Sequence, residues 1–524
     1  MLEVKALSMK RFTFAKLGLV SVVIMLVLWG ASSLGLFLHG IPYLPQAIAD
    51  KAIRRALKFS FAQAFVSALL SVILAIPPAY LDATYDFKGR KLLKTMVTMP
   101  FTLPTISVAL SFLLLSRTGI FPGGWPSIIA AHVYFNYGMC SQIISASLSS
   151  ISTDVEEAAD TLGASYWLKM RAIVLPLLTK GITYSFTLTF VLCFTSFAIP
   201  LLLGGPRYRT LEVEIYSLYK VFLDEKLASG AAIIQLAVTS ILSIIALRSL
   251  PAARSKEVRV RRGLPKDPFH ATLLVYYIIM AFTALYPVAY LLYRSLFNPL
   301  TDEFSPGVYI KIFSRGFDPS LGTSPLNSLI NSLFFAAMTS ISTLLVASLL
   351  ISSTPRIKDL GMLISLFPLG TSSISLALGL YALGSKLQIP GWVLITSSHF
   401  LISAPFTFRS LEAGASSIDP TFMDAAETLG LDRLDATFKV LLPLILPSVL
   451  VGSFYAFVMS ISETSAVALL STPETQTLTV AALRYSGVRR FQEATAISVL
   501  VCLMTWALLV LHSLVERKMK WIRR

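Results

Sequence analysis

The chain alternates long apolar runs with short polar loops. Twelve runs stand out, at 17–38, 57–81, 96–115, 126–147, 180–203, 230–250, 271–294, 328–352, 360–384, 391–411, 443–470 and 493–515. Each is near the roughly 20 residues a helix needs to cross a ~30 Å hydrocarbon layer at ~1.5 Å per residue. None shows the alternation of a barrel strand, and a segment in lipid has to satisfy its own backbone polar groups. The pattern therefore predicts an all-α integral membrane protein with about twelve transmembrane helices. The first run follows Lys5, Lys10, Arg11 and Lys16. It exceeds the ~7–15 apolar residues of a cleaved signal and reads as an uncleaved helix.

Composition agrees with the pattern. Of 524 residues, 55% are hydrophobic and 14% charged, against about 25% charged in an ordinary soluble domain. The net charge of +16 does not point to nucleic acid, because the basic residues sit in loops between apolar runs rather than on one face. Counted by alternating loops, 28 of the 44 Lys and Arg fall on the side of the termini and 16 on the other. The richer side marks the cytoplasm, which predicts a multi-pass protein of the plasma membrane with both termini inside. The outer loops are not free of basic residues, since Lys51, Arg54, Arg55 and Lys58 precede the second span. Cys140, Cys193 and Cys502 each stand alone in an apolar stretch, so neither a metal site nor a disulfide framework is expected.

A proline- and charge-rich stretch at 251–268 falls at the midpoint of the chain, and the two sides of it are related. Residues 132–178 meet 399–445 at a constant shift of 267, with 13 identities in 47 positions. The matches include His132/His399, Ser149-Ser150-Ile151/Ser416-Ser417-Ile418, Thr161-Leu162-Gly163/Thr428-Leu429-Gly430 and Leu175-Pro176-Leu177/Leu442-Pro443-Leu444. Unrelated apolar helices share Leu and Ile, but not Gly, Pro and His in register. The chain thus divides into a first half at 1–250, a cytoplasmic linker at 251–268 and a second half at 269–524. Six spans in each half make this a parallel, same-topology repeat, and a path for solute would run between the halves.

The most polar matched segment carries the chemistry. It reads Glu157-Ala158-Ala159, three residues, Gly163, nine residues, Ile173-Val174-Leu175-Pro176 in the first half, and Asp424-Ala425-Ala426, three residues, Gly430, nine residues, Val440-Leu441-Leu442-Pro443 in the second. Ala158, Ala159 and Leu162 are expected on one face of a short helix, ended by Gly163, with Pro176 opening the next membrane helix. This pattern resembles the EAA loop of type I ABC importer permeases. The resemblance implies that 154–164 and 421–431 are coupling helices that dock two copies of a cytoplasmic ATPase. It also implies an extracytoplasmic solute-binding protein as partner. The chain has no Gly-Lys dipeptide and so no phosphate-binding loop of its own. It is expected to be a transport subunit and not an enzyme, with no catalytic residues and no cofactor, ATP and magnesium being held by the partner ATPase. Leu203-Gly204-Gly205-Pro206 with Thr210-Leu211-Glu212-Val213 is similar to the fused thiamine permeases, and the overall plan also to the fused iron(III) permeases. Thiamine or iron(III) is the implied solute.

Glu463 lies in an apolar run opposite Ser196 in the repeat. An intramembrane carboxylate marks a path or gate, or a hydrogen bond between helices, and both readings stay open. His132 and His399 read as structural contacts rather than a metal pair. Two other classes fit a duplicated six-helix plan: a secondary transporter driven by an ion gradient, and a channel or structural membrane protein. Importers of polyamine, molybdate, sulfate or phosphonate remain alternatives within the favoured class.

Overall fold

The computed structural model of the chain describes residues 2–119, 122–151, 158–159, 161–249, 261–298 and 301–522. Helix is found in every one of the twelve apolar runs. Seven helices are long and apolar enough to cross a membrane by length and composition. Two further pairs pass together but bend sharply, Arg90–Thr102 with Thr105–Arg117 by 96° and Arg433–Leu444 with Leu446–Ser462 by 87°. Trp125–Ser149 and Gly391–Ser416 are as long, at 25 and 26 residues, but more polar. Among the runs expected to be single spans, 96–115 is broken at the first of these bends and 360–384 between Ser365 and Ser373, and 180–203 and 443–470 are interrupted near their ends. Helix stops at Phe194 and at Ser462, and short helices resume at Ala198–Leu203 and Ser465–Leu470.

The described chain divides into two compact units that do not follow its halves. One comprises Met1–Ala49, Ile215–Leu236 and Glu303–Arg524, the other Asp50–Glu214 and Ala237–Asp302. The opening helix of each half is therefore housed with the body of the other half.

In the first unit, the helix Leu2–Gly40 lies against Pro325–Ile351 and Ser373–Gly384. Small residues make this possible, since a Cβ on Gly35 would overlap the Gly379 carbonyl and one on Gly379 would overlap that of Ser32. Close backbone approach of this kind is how helices associate in lipid, where burying apolar surface gains little. Ser32 Oγ donates to Leu376 O at 2.9 Å and Ser21 Oγ to Val346 O at 3.0 Å.

In the second unit, the helix Pro268–Leu296 is held by tyrosine hydroxyls. Tyr134 donates to Ala284 O and Tyr137 to Met280 O, while Tyr276 of this helix donates to Leu74 O and Tyr277 to Asp82 Oδ2, all at 2.8–2.9 Å. The linker's end is fastened beside them. Tyr85–Asp86 pairs in parallel with Arg262–Gly263. Arg261 Nε donates to Asp82 O at 3.1 Å, and His270 joins Asp267 at 2.6 Å to Tyr85 at 2.9 Å.

The duplication is visible as paired backbone contacts. Ser60 Oγ accepts the N–H of Leu211 at 2.7 Å, and Ser332 Oγ that of Leu478 at 2.8 Å. Residues 211 and 478 differ by the same 267 found in the sequence.

Candidate functional site

Each repeated loop closes in the same backbone turn. In the second copy, Asp419 opens the helix by accepting the Thr421 N–H at 2.9 Å and its hydroxyl at 2.8 Å. These two hydrogen bonds hold the Asp419 carboxyl below its ordinary value. The helix runs Thr421–Thr428, with Asp424 exposed in its first turn, where a negative charge suits the helix dipole. Leu431 N–H reaches back to Ala426 O at 3.1 Å across Gly430, whose φ is +90°. In the first copy, Ala164 N–H reaches Ala159 O at 3.0 Å across Gly163, at φ +73°. This six-to-one bond across a left-handed glycine is the Schellman end of a helix. Both glycines sit where any side chain is strained.

One expectation needs correction. Ala159 and Ala426 turn inward, each 5% exposed, whereas Ala158 and Ala425 face outward. The outward face is completed by Leu162 and Leu429, 87% and 86% exposed. Ala158 and Leu162 are four residues apart and share a face, while Ala159 is turned away by about 100°. The doubled Thr-Leu-Gly places this leucine at the same position in each copy. Glu157 and the residues 152–156 lie outside the described residues.

The chain then enters the membrane through another shared feature. Met170–Val174 and Thr437–Leu441 are π-helical turns, again 267 apart. Pro176 and Pro443 follow in the first turn of the helices that begin at Leu175 and Leu442. A proline leaves the carbonyl four residues back without its donor, and a widened turn accommodates that. The second copy differs just beyond. It carries Pro447 where the first has Lys180, and there the helix breaks at Ile445 and bends.

Glu463 occupies the break after Ser462. Its Oε1 accepts the N–H groups of Ser465 at 2.8 Å and Ala466 at 3.0 Å, so the carboxylate opens the short helix Ser465–Leu470. Ser196 occupies the matching break before Ala198–Leu203 and is half-buried. His399 Nδ1 meets Ser460 Oγ at 2.7 Å. Both ring nitrogens of His132 lack a partner among the described residues. No group of three His, Cys, Asp or Glu gathers among the described residues to hold a metal ion.

An all-helical membrane scaffold that presents the same capped helix twice, each time leading through a π-turn into a span, defines a duplicated permease. The chain belongs to the family of binding-protein-dependent transport system inner membrane components, whose model matches residues 67–259 and 341–521. Both matches begin after the opening helix of their half, the helix that the compact units exchange. The chain is 26% identical over 509 residues to the thiamine transport system permease protein of Escherichia coli, covering 90% of this chain and 91% of that protein. It is 32% identical over 213 residues to the protein of that name in Brucella abortus, covering 37% and 39%. The spermidine/putrescine transport system permease protein of Escherichia coli is 27% identical over 208 residues, 40% of this chain and 78% of that protein. The chain is thus a fused, two-domain permease of an ABC importer.

Proposed function

We propose that this permease passes thiamine inward between its two halves, driven by two separate ATPase subunits docked on the loops at 158–163 and 421–430. The observation that carries the docking is the pair of nearly fully exposed leucines, Leu162 and Leu429, each held by a glycine-ended helix. A leucine side chain is worth about 1.5–3 kcal/mol when it leaves water, so two such knobs at matched positions favour a partner with two matched grooves. Each compact unit carries one loop. ATP-driven approach of the ATPases would draw the loops together and open the path to the outside, where a binding protein delivers solute. The excess of basic residues beside the termini supports placing the loops and both termini in the cytoplasm.

Thiamine is favoured because the resemblance to the Escherichia coli thiamine permease extends over 90% of the chain, whereas that to the polyamine permease covers 40%. The test is uptake by proteoliposomes holding this chain, its ATPase and its binding protein. ATP-dependent accumulation of thiamine, with spermidine excluded, is expected. Uptake that proceeds without an ATPase sinks the docking, and ATP-driven uptake that ignores thiamine sinks the solute.

A further inference from the structure

The helix Lys51–Thr84 presents one continuous outward stripe that changes character along its length. Lys51, Arg54, Arg55 and Lys58 are exposed in its first two turns, and Phe61, Ala62, Phe65 and Val66 are exposed in the turns that follow. At about 100° per residue, all of these positions fall within an arc of about 140°. The apolar part is a groove. It encloses about 640 Å³ and is lined by Leu57, Phe61, Phe65, Val66 and Phe190, with Lys58 the one charged residue among the described lining. Packed rings stiffen its wall. Phe61 lies 5.1 Å from Phe194 and 5.9 Å from Phe190 between ring centres, and Phe65 lies 5.6 Å from Phe186. Leu57 and Val66 are about 14 Å apart along the helix, close to the depth of one leaflet of a ~30 Å hydrocarbon layer. All of these residues lie within one compact unit.

The helix does not require its basic residues. Its counterpart in the second half is Pro325–Ile351, in register through Ser60 and Ser332, which receive Leu211 and Leu478. There the positions of Lys51, Arg54, Arg55 and Lys58 hold Thr323, Leu326, Asn327 and Ile330. On the orientation proposed above, the cluster lies outside, where basic residues are ordinarily few. Residues 50–58 hold four basic side chains against the single carboxylate of Asp50. That carboxylate caps the helix, its Oδ1 accepting the N–H of Ala52 at 2.8 Å and of Ile53 at 2.9 Å. Tyr208 packs on Phe59 with ring centres 5.7 Å apart, and the Arg207 guanidinium lies 5.5 Å from the centre of the Tyr208 ring. Tyrosine gathers at the headgroup level of a membrane. Here that level falls at residue 59, where the basic stripe gives way to the apolar one.

We propose that this stripe binds an anionic phospholipid, its phosphate held by Arg54, Arg55 and Lys58 and one acyl chain laid in the groove against Phe61, Phe65 and Phe190. Basic residues alone would suit any acidic partner, and an apolar groove alone any chain. Their continuity on one helix face suits a molecule that is anionic at one end and apolar beyond it for about one leaflet. Guanidinium and ammonium groups both bind phosphate well. Phe190 belongs to the helix Leu175–Phe194 that follows the first docking loop, so the lipid bridges that helix to Lys51–Thr84. The site rests on the membrane-spanning fold and on neither the solute nor the ATPase.

The probe is phosphatidylglycerol brominated on its acyl chains, a minor component of phosphatidylcholine nanodiscs that hold the full chain. Brominated phosphatidylcholine at the same fraction is the zwitterionic control. Bromine quenches the fluorescence of an indole it touches. Phe65→Trp puts a reporter in the groove. Phe334→Trp puts one on the matching helix, at the exposed position that corresponds to Ala62. Each is read against the unsubstituted protein. The Phe65→Trp reporter is expected to be quenched as if phosphatidylglycerol were enriched about tenfold over phosphatidylcholine, the scale of one or two basic residues at a membrane surface. The Phe334→Trp reporter should show no enrichment. Arg54→Gln, Arg55→Gln and Lys58→Gln together remove the enrichment, and added salt weakens it. Equal quenching of the Phe65→Trp reporter by the two lipids, equal enrichment at both reporters, or enrichment that survives neutralisation overturns the site. So does a neutralised variant that loses the binding protein while keeping the lipid preference, since the stripe is then a protein-docking surface. The two reporters are compared without any charge substitution, so a neutralised variant that fails to fold leaves that comparison standing. The quenching is read without ATPase or solute, so its failure leaves the importer reading untouched, and loss of transport leaves the quenching untouched.

Discussion

Where the helices Trp125–Ser149 and Leu175–Phe194 of the first half meet, Ser147 faces Gly181. At the matching contact of the second half, Gly414 faces Ser448. Position for position the serine and the glycine have changed places, while their sum has stayed the same. A Cβ on either glycine would run into the serine hydroxyl across from it. Other features are identical in both halves: the six-to-one turn at Gly163 and Gly430, the π-turn before the span, and the serine hydroxyl that receives Leu211 or Leu478. The comparison separates two kinds of constraint. Backbone geometry that a single residue type imposes is kept in both copies. Side-chain contacts are kept only as complementary pairs and have drifted within that limit.

The docking turns test the first kind. Replacing both Gly163 and Gly430 by valine forces a β-branched residue into a left-handed conformation that costs an ordinary residue about 1–2 kcal/mol, so the turns are expected to unwind. Co-purification of the ATPase should be lost and ATP-driven uptake abolished. Normal assembly and uptake in that double variant would refute the docking role. A smaller, sharper version keeps the turns and removes the knobs. Leu162→Asp or Leu429→Asp is expected to weaken ATPase binding by about tenfold to a hundredfold, if each leucine buries most of its side chain, without lowering the melting temperature of the permease. The two single variants bear on the comparison directly. Equal losses mean equivalent contacts. Unequal ones mean that the copies, Glu157 against Asp424, have diverged in use.

How far all this is visible in the sequence depends on what kind of information sets it. Helix, its duplication and the docking loops are local: a run of apolar residues, or glycine and proline at fixed spacing, is enough. The breaks at Thr195 and Glu463 are less legible. The apolar run continues past both, and only the carboxylate of Glu463, bonded to two backbone N–H groups, marks where one helix ends and another begins. The exchange of opening helices is not legible at all. It depends on Gly35 finding Gly379 and on Tyr276 and Tyr277 reaching Leu74 and Asp82, contacts between residues far apart in the chain. The inward turn of Ala159 and Ala426 was missed for a local reason, since neighbours on a helix point about 100° apart.

The serine–glycine exchange gives the next prediction. Gly181→Ser puts a second hydroxyl against Ser147 and is expected to destabilise the permease by about 1–3 kcal/mol, the usual cost of overpacking. Adding Ser147→Gly should restore most of that, because the contact then reproduces the second half. Gly414→Ser with Ser448→Gly should behave as the mirror image. Thermal unfolding of the two singles and the double in each half measures the coupling. Additive losses would mean that the pairs are not complementary.

The smallest effect concerns a polar chain intact in one half and interrupted in the other. In the second half Thr339 reaches Ser460 Oγ at 3.5 Å and Ser460 meets His399 at 2.7 Å. Seven residues separate Thr339 from Ser332, which receives Leu478, and seven separate Ser67 from Ser60, which receives Leu211. The first-half counterparts are therefore Ser67, Cys193 and His132. With a thiol in the middle, the Ser67 hydroxyl and both nitrogens of His132 are left without partners among the described residues, while Cys193 Sγ accepts only a 3.5 Å bond from Asn136. A buried polar group without a partner costs about 1–3 kcal/mol. Cys193→Ser supplies a stronger donor and acceptor with a slightly smaller atom, so part of that cost should be recovered. The expected gain is about 1 kcal/mol, less what the smaller atom forgoes in packing. Ser460→Cys should lose a similar amount by interrupting the intact chain. Opposite signs in the two halves are the result that matters. If both substitutions destabilise, the thiol is there for packing, and the first half has discarded the polar chain instead of merely interrupting it.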